Sequence, residues 1–387
     1  MMGIKEKLGT CSQALQRQVH PAPLSVLRIL FGLLMAGSMI RLWAKGWVED
    51  LYIRPAMHFS YYGFEWVRSL GDPGMHLLVG FILLCSLFVA LGLFYRLAIL
   101  GFFLSFSYLE LIDKAYYLNH YYFISVLAFL LIFLPAHRYF SLDVLRKPSL
   151  HTDRIPAWML WPVRFQVGLV YFYAGVAKLE YDWLFRAEPM RTWLPAHDQL
   201  PLIGEMMART WVAYLFSWFG AIYDLSVPFF LSNRWTRPVA YLFVIAFHVM
   251  TAILFPIGVF PWVMILLTLI FFPASFHLRI LRSLGDRMQQ GGAELLRSFQ
   301  PRLIWKKVLG GLLLTHFLVQ ILIPWRFLLY PGELFWNEEG YRFSWRVMLM
   351  EKAGKAFFTV KDPESGGEEE VSVSEHLTPF QEKMMAT

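Results

Sequence analysis

Arg164, Gly168, Tyr171, Gly175 and Lys178 recur at intervals of four, three, four and three residues within one apolar run, which sets them on a single face of a helix. Ionisable groups in such runs face a protein interior or a water-filled cavity, and each one raises a functional question. Spacing alone supports a plain alternative: the glycines let helices approach closely, and Lys178 snorkels to the headgroups from a helix end. Other polar residues interrupt neighbouring apolar runs. Asp113 and Lys114 stand at the end of one, Asn119 and His120 at the start of the next, His248 lies inside another, and Asp224 inside a fourth. Each has its own plain reading. A lone histidine in an apolar run is a hydrogen-bonded core residue, Asn119 is an N-cap, and Asp224 pairs with a neighbouring cation that the sequence does not name. What favours chemistry is convergence: Asp113, Asn119, His120, Lys178 and His248 all fall towards one side of the bilayer.

The elements that must position these residues are apolar helices. Runs near 24–43, 74–94, 97–113, 120–137, 157–179, 211–231, 237–255, 257–273 and 303–324 predict an all-α polytopic membrane protein with about eight or nine spans. Residues 45–73, with Trp47, Tyr61, Tyr62 and Trp66, read as an interfacial segment. Lys and Arg concentrate in the N-terminal segment and in alternate loops near Arg96, Arg138–Arg154, Arg234–Arg237 and Arg279–Lys307. The expected orientation therefore has a cytoplasmic N-terminus, with the active-site side and the C-terminal tail extracytoplasmic. The expected division is a cytoplasmic segment at 1–23, a transmembrane catalytic domain at 24–325 and a small β-rich extracytoplasmic extension at 326–387. In that extension Tyr341–Trp345, Ala356–Val360 and Val371–Val373 alternate like strands, with a polar turn over Lys361–Glu370.

Composition agrees with lipid as the solvent. The chain is 57% hydrophobic and 16% charged, with mean hydropathy +0.47, whereas a globular domain carries about 25% charge. The net charge of +7 follows from the basic loops, so nucleic acid is not an expected partner. Cys11 and Cys85 are too few and too far apart for a disulfide framework or a zinc site. A His-Glu-x-x-His sequence, a nucleophile elbow, a phosphate loop and a c-type haem motif are all missing, so no metal is expected.

The run Tyr171-Phe172-Tyr173-Ala174-Gly175-Val176-Ala177-Lys178-Leu179-Glu180-Tyr181-Asp182-Trp183 resembles the vitamin K-dependent γ-glutamyl carboxylase family, whose membrane part is also called the horizontally transferred transmembrane domain. The resemblance extends in order through Gly92–Arg96, Asp113-Lys114 with Asn119-His120, Asp224-Leu225-Ser226, Phe247-His248, Ile257–Phe260 and Tyr341–Trp345, and covers most of residues 24–361. It implies an enzyme that oxygenates reduced vitamin K, a naphthohydroquinone, to its epoxide, with O2 and CO2 as co-substrates and γ-carboxylation of glutamate as the coupled step. Lys178 matches the catalytic lysine that deprotonates the hydroquinone, a task suited to an amine that desolvation keeps neutral. Asn119 and His120 match positions that hold or polarise the quinone oxygens. Asp113 and His248 match further pocket residues, and Tyr171 and Arg164, one and two heptads before Lys178, would line the same cavity. The implied partners are the lipid bilayer, a lipid-soluble quinone and a glutamate-containing peptide or protein. Animal members continue into a large extracytoplasmic domain, whereas this chain stops soon after its first candidate strands and reads as truncated there. The quinone chemistry rests on the membrane part. Three alternatives stand beside it: an epoxidase without carboxylation, a transporter or scaffold of the same fold, and a quinone-linked electron carrier with a bound haem or flavin.

Overall fold

The computed structural model describes residues 13–285, 297–352, 354 and 357–385. Its principal helices are α1 (Ala22–Ala44), α2 (Gly71–Leu91), α3 (Tyr95–Leu111), α4 (Asn119–Phe133), α5 (Trp161–Val176), α6 (Thr210–Ser232), α7 (Arg237–Leu254), α8 (Phe260–Leu267), α9 (Ala274–Leu284) and α10 (Leu303–Leu322). Helices α1 to α4 pack in sequence order, α5 pairs with α6 and α7 with α8, while α8 and α9 lean on α1 and join the two groups.

Local chemistry sets where the helices stop and start. Gly92, at φ +65°, closes α2 with Leu93 N donating to Phe88 O at 2.9 Å, a left-handed cap that only glycine adopts without strain. The carboxylate of Asp143 accepts from the backbone of Phe94 and Tyr95, at 2.9 Å each, and so begins α3. Arg28, wholly buried on α1, donates to the carbonyls of Val89, Ala90 and Phe140. It satisfies the end of α2 where neither water nor lipid could.

Five helices are long and apolar enough to cross a membrane, among the described residues: α1, α2, α6, α7 and α10 with its continuation to Leu329. A sixth span is formed if Phe260–Phe271 and Ala274–Leu284, bent by 117°, count as one. The expected eight or nine spans are not confirmed, because α3, α4 and α5 have only 17, 15 and 16 residues. Their apolar runs continue beyond the helices into irregular chain, as at Leu134 and Ala177, and hydropathy does not distinguish the two.

Helix α10 is the least embedded, with Gln320 its only buried residue. Polar contacts fasten it. Gln166 Nε2 donates to Gln320 Oε1 at 3.3 Å, Gln320 Nε2 to the Tyr122 hydroxyl at 2.6 Å, and His316 Nε2 meets Gln166 Oε1 at 3.1 Å. The tail that follows differs from the expected strands. Tyr341–Trp345 is a turn, with Phe343 and Trp345 at φ +62° and +60°, values no strand residue takes. Trp345 is 1% exposed and stacks on Tyr122. A hairpin does form, but in another register: Phe358–Lys361 pairs antiparallel with Glu368–Val371, so Glu368–Glu370 lie in a strand rather than in the expected polar turn. Ala356, most of the 1–23 segment and Cys11 lie outside the described residues.

Candidate functional site

The close approach of α5 and α6 builds the polar end of the site. A Cβ on Gly175 would stand 2.7–2.9 Å from Leu225, so the absent side chain lets the two helices meet. One turn on, Lys178 lies just past the end of α5 and points inward. Its Nζ donates to Asp224 Oδ2 at 2.7 Å and to Ala174 O at 3.2 Å. The two partners are 6% and 4% exposed. This lysine does not snorkel, and the cation that Asp224 requires is Lys178, 46 residues away in sequence. Trp183 lies under the ammonium, 5.3 Å from ring centroid to Nζ, held by its own bond to Ser217 O.

A cavity opens from this pair, bounded by residues of α5 to α8 and by Val347 and Met348 of the tail. Its walls are otherwise largely apolar: Val170, Phe216, Phe219, Phe247, Phe260 and Met264 are among them. Tyr171 and His248 add polar atoms. The Tyr171 hydroxyl lies 2.9 Å from His248 Nε2 and receives a 3.5 Å bond from the Tyr223 hydroxyl. His248 Nδ1 is buried and has no hydrogen-bond partner among the described residues.

The structure thus brings Lys178, Tyr171 and His248 into one cavity. His120 is adjacent: its ring packs on Phe260, at 6.0 Å between centroids, and close to Gly258. Asn119 acts on the tail, donating from Nδ2 to Arg346 O at 2.6 Å beside Val347 and Met348. Neither His120 nor Asn119 lines the cavity, and two further residues lie away from it. Asp113 caps a short turn through Ala115 N and meets His58 Nδ1 and Gln381 Nε2, at 3.2 Å each. Arg164, at the far end of α5, donates from Nε to Ile270 O at 3.0 Å. It satisfies the carbonyl where the chain breaks before α9. Four and three residues per step keep Arg164 and Lys178 on one face, but 14 residues separate them by about 21 Å along the axis.

Sequence reasoning assigns no role to Trp183, Phe216, Phe219 or the Val347–Met348 wall. For the first three, aromatic content on α6 and in the run after Lys178 was the available signal. Beyond Lys178 a second cavity of about 960 Å³ is lined by Glu180, Glu333, Arg346, Tyr173 and Trp325 among others. There burial first, and Asp182 second, push the Glu180 carboxyl above its ordinary range, while Arg346 pulls it down. No group of three or more His, Cys, Asp or Glu is placed to hold a metal ion, among the described residues.

Comparison with known families gives two matches. The HTTM domain model matches residues 16–276, and the model of the vitamin K-dependent gamma-carboxylase, lumenal domain, matches residues 305–387. No solved structure matches the chain.

Proposed function

Because the chain belongs to the vitamin K-dependent gamma-carboxylase family, we propose that it is a multi-pass membrane enzyme that oxygenates reduced vitamin K to its epoxide and couples this to γ-carboxylation of a glutamate-containing substrate. The observation that carries this reading is the buried Lys178–Asp224 pair at one end of an otherwise apolar cavity. A naphthohydroquinone fits these residues in kind: an apolar ring system for the aromatic walls, one hydroxyl for Lys178, and a second oxygen for the unpartnered Nδ1 of His248. When bound, it supplies with O2 the strong base that takes the γ-proton of glutamate before CO2 adds.

The residues then divide the work. A lysine paired with a carboxylate is an ammonium, and an ammonium accepts no proton. Lys178 therefore passes a proton to Asp224 Oδ2 as it takes one from the hydroquinone hydroxyl, and the positive charge stays on Nζ beside that oxygen. Asp224 is the terminal acceptor, and proton transfer by a positioned side chain contributes about 10²–10⁴-fold. Tyr171 orients His248 through Nε2, which leaves the buried Nδ1 without a partner among the described residues. Trp183 and Phe260 exclude water, and His120 acts from behind Phe260. Asn119 fixes the tail wall. Asp113 and Arg164 are assigned to structure rather than to the quinone.

Residues 24–325 are read as the catalytic membrane domain and 326–387 as an extracytoplasmic extension. The N-terminus is read as cytoplasmic. The match over 305–387 favours a glutamate-containing acceptor over epoxidation alone. The deciding assay supplies purified protein with reduced vitamin K and O2, with and without a glutamate peptide and labelled bicarbonate. Epoxide formed by the wild type and lost in Lys178→Ala is the expected result, and label in the peptide separates a carboxylase from an epoxidase. Epoxide formed equally by both proteins, or by neither, would sink the assignment.

A further inference from the structure

We propose that the seam between α6 and α7 is the doorway by which the hydrocarbon tail of the substrate lies out into the bilayer, with Phe216 and Phe219 on one side and Phe247 and Met250 on the other. The inference rests on the function proposed above and adds the path of the tail. A lipid-soluble hydroquinone is an amphiphile, and the cavity is one too. Its ionic pair, Lys178 and Asp224, sits where α5 meets α6, while the four doorway side chains line the wall on the α6–α7 side. A head held at Lys178 leaves its tail on that aromatic and thioether wall.

The α5 wall is closed differently. The cavity residues Tyr171, Ala174, Lys178 and Trp183 are buried on every side, and α5 is locked to α6 by the ion pair and the Gly175–Leu225 contact. At the α6–α7 seam the lining residues are themselves partly exposed. Their neighbours Leu215 and Phe243 are 55% and 49% exposed. Beyond the connecting turn, where Arg237 bonds Leu231 and Ser232, no hydrogen bond joins α6 to α7 among the described residues. What closes the seam is ring against ring: Phe219 lies 6.3 Å from Phe243 and from Phe247, and Tyr223 lies 4.3 Å from Phe247. Such contacts re-form with a hydrocarbon chain between them at little loss, because lipid tails are as apolar as the side chains they replace.

Two photoreactive vitamin K quinones test this in the full-length protein in lipid nanodiscs, one with a diazirine on the ring and one with a diazirine at the tail end. Neither needs turnover. Ring label near Lys178 and Trp183, with tail label on residues 215–222 and 243–253 and both competed by unlabelled quinone, is the expected result. Ring label at Lys178 with tail label on α10 or on α1–α3 would overturn the doorway and leave the enzyme assignment standing. Label that unlabelled quinone does not compete would remove both. In the active enzyme, Phe219→Ala with Phe247→Ala is expected to shift the kcat/KM preference for a long tail over a two-carbon tail by about tenfold. An unchanged preference in a variant that still turns over would also overturn the doorway.

Discussion

Asp224 and Lys178 stand or fall together, since removing one half of a buried ion pair strands a charge and costs about 3–5 kcal/mol. Asp224→Asn is therefore expected to lower thermal stability in detergent and to cut epoxide formation about a hundredfold or more, with Asp224→Glu restoring part of the rate. The apolar double variant Lys178→Met/Asp224→Leu separates the two effects: melting should recover towards wild type while activity stays absent. If the double variant melts no higher than Asp224→Asn, the pair is not the source of the loss. Gly175 is equally exacting. Gly175→Val would drive its side chain into Leu225 and part α5 from α6, and loss of activity with a lowered melting temperature is expected. Lys178 was legible in the sequence because an uncompensated cation in an apolar run draws attention by itself. Its partner was not, since pairing across 46 residues depends on which helices touch, and periodicity within one helix carries no such information. Arg164 shows the converse error, a shared face mistaken for a shared depth.

At the scale of elements, α10 and the start of α1 make distinct predictions. The Gln166–Gln320–Tyr122 contacts fasten an otherwise lipid-facing helix, and interhelical hydrogen bonds in membranes contribute about 0.6 kcal/mol each, up to about 1.7. Gln320→Leu should therefore leave the protein folded but raise hydrogen exchange across residues 303–329. Unchanged exchange would mean that apolar packing alone holds the helix. His20, just before α1, accepts from Ala22 N through Nδ1 at 3.1 Å. Burial chiefly lowers its ionisation from 6.5 to about 4, with Asp153 opposing and His151 assisting. The unfolded chain thus binds this proton more readily, and the contribution of His20 to stability is present above about pH 6.5 and lost as pH falls towards 4. Thermal unfolding between pH 7 and 4 should show a decline that His20→Asn, which keeps an acceptor and does not titrate, reduces. The long helices were legible as apolar runs. The ends of the short helices and the tail were not, because hydropathy reports the surroundings of a segment and not its backbone, and Tyr341–Trp345 alternates as a strand would while turning through positive φ.

For the molecule as a whole, residues distant in sequence close the reaction site. Helices α5 to α8 supply three sides, and Val347 and Met348, fixed by Asn119 on α4 and by Trp345 against Tyr122, supply another. Asn119→Ala is expected to raise KM for the hydroquinone more than it lowers kcat, read from steady-state epoxide formation, because it frees a wall and leaves the reacting groups in place. A fall in kcat alone would instead put Asn119 on the reacting oxygen. The same closure orders events on the ribosome. Helices α5 to α8 are synthesised before residue 347, so a nascent chain holds the Lys178–Asp224 pair before the tail wall of the cavity. On the proposed function, an intermediate that already holds the proton-transfer pair would still stand open to water, and the arrival of Val347 and Met348 is the step that covers it.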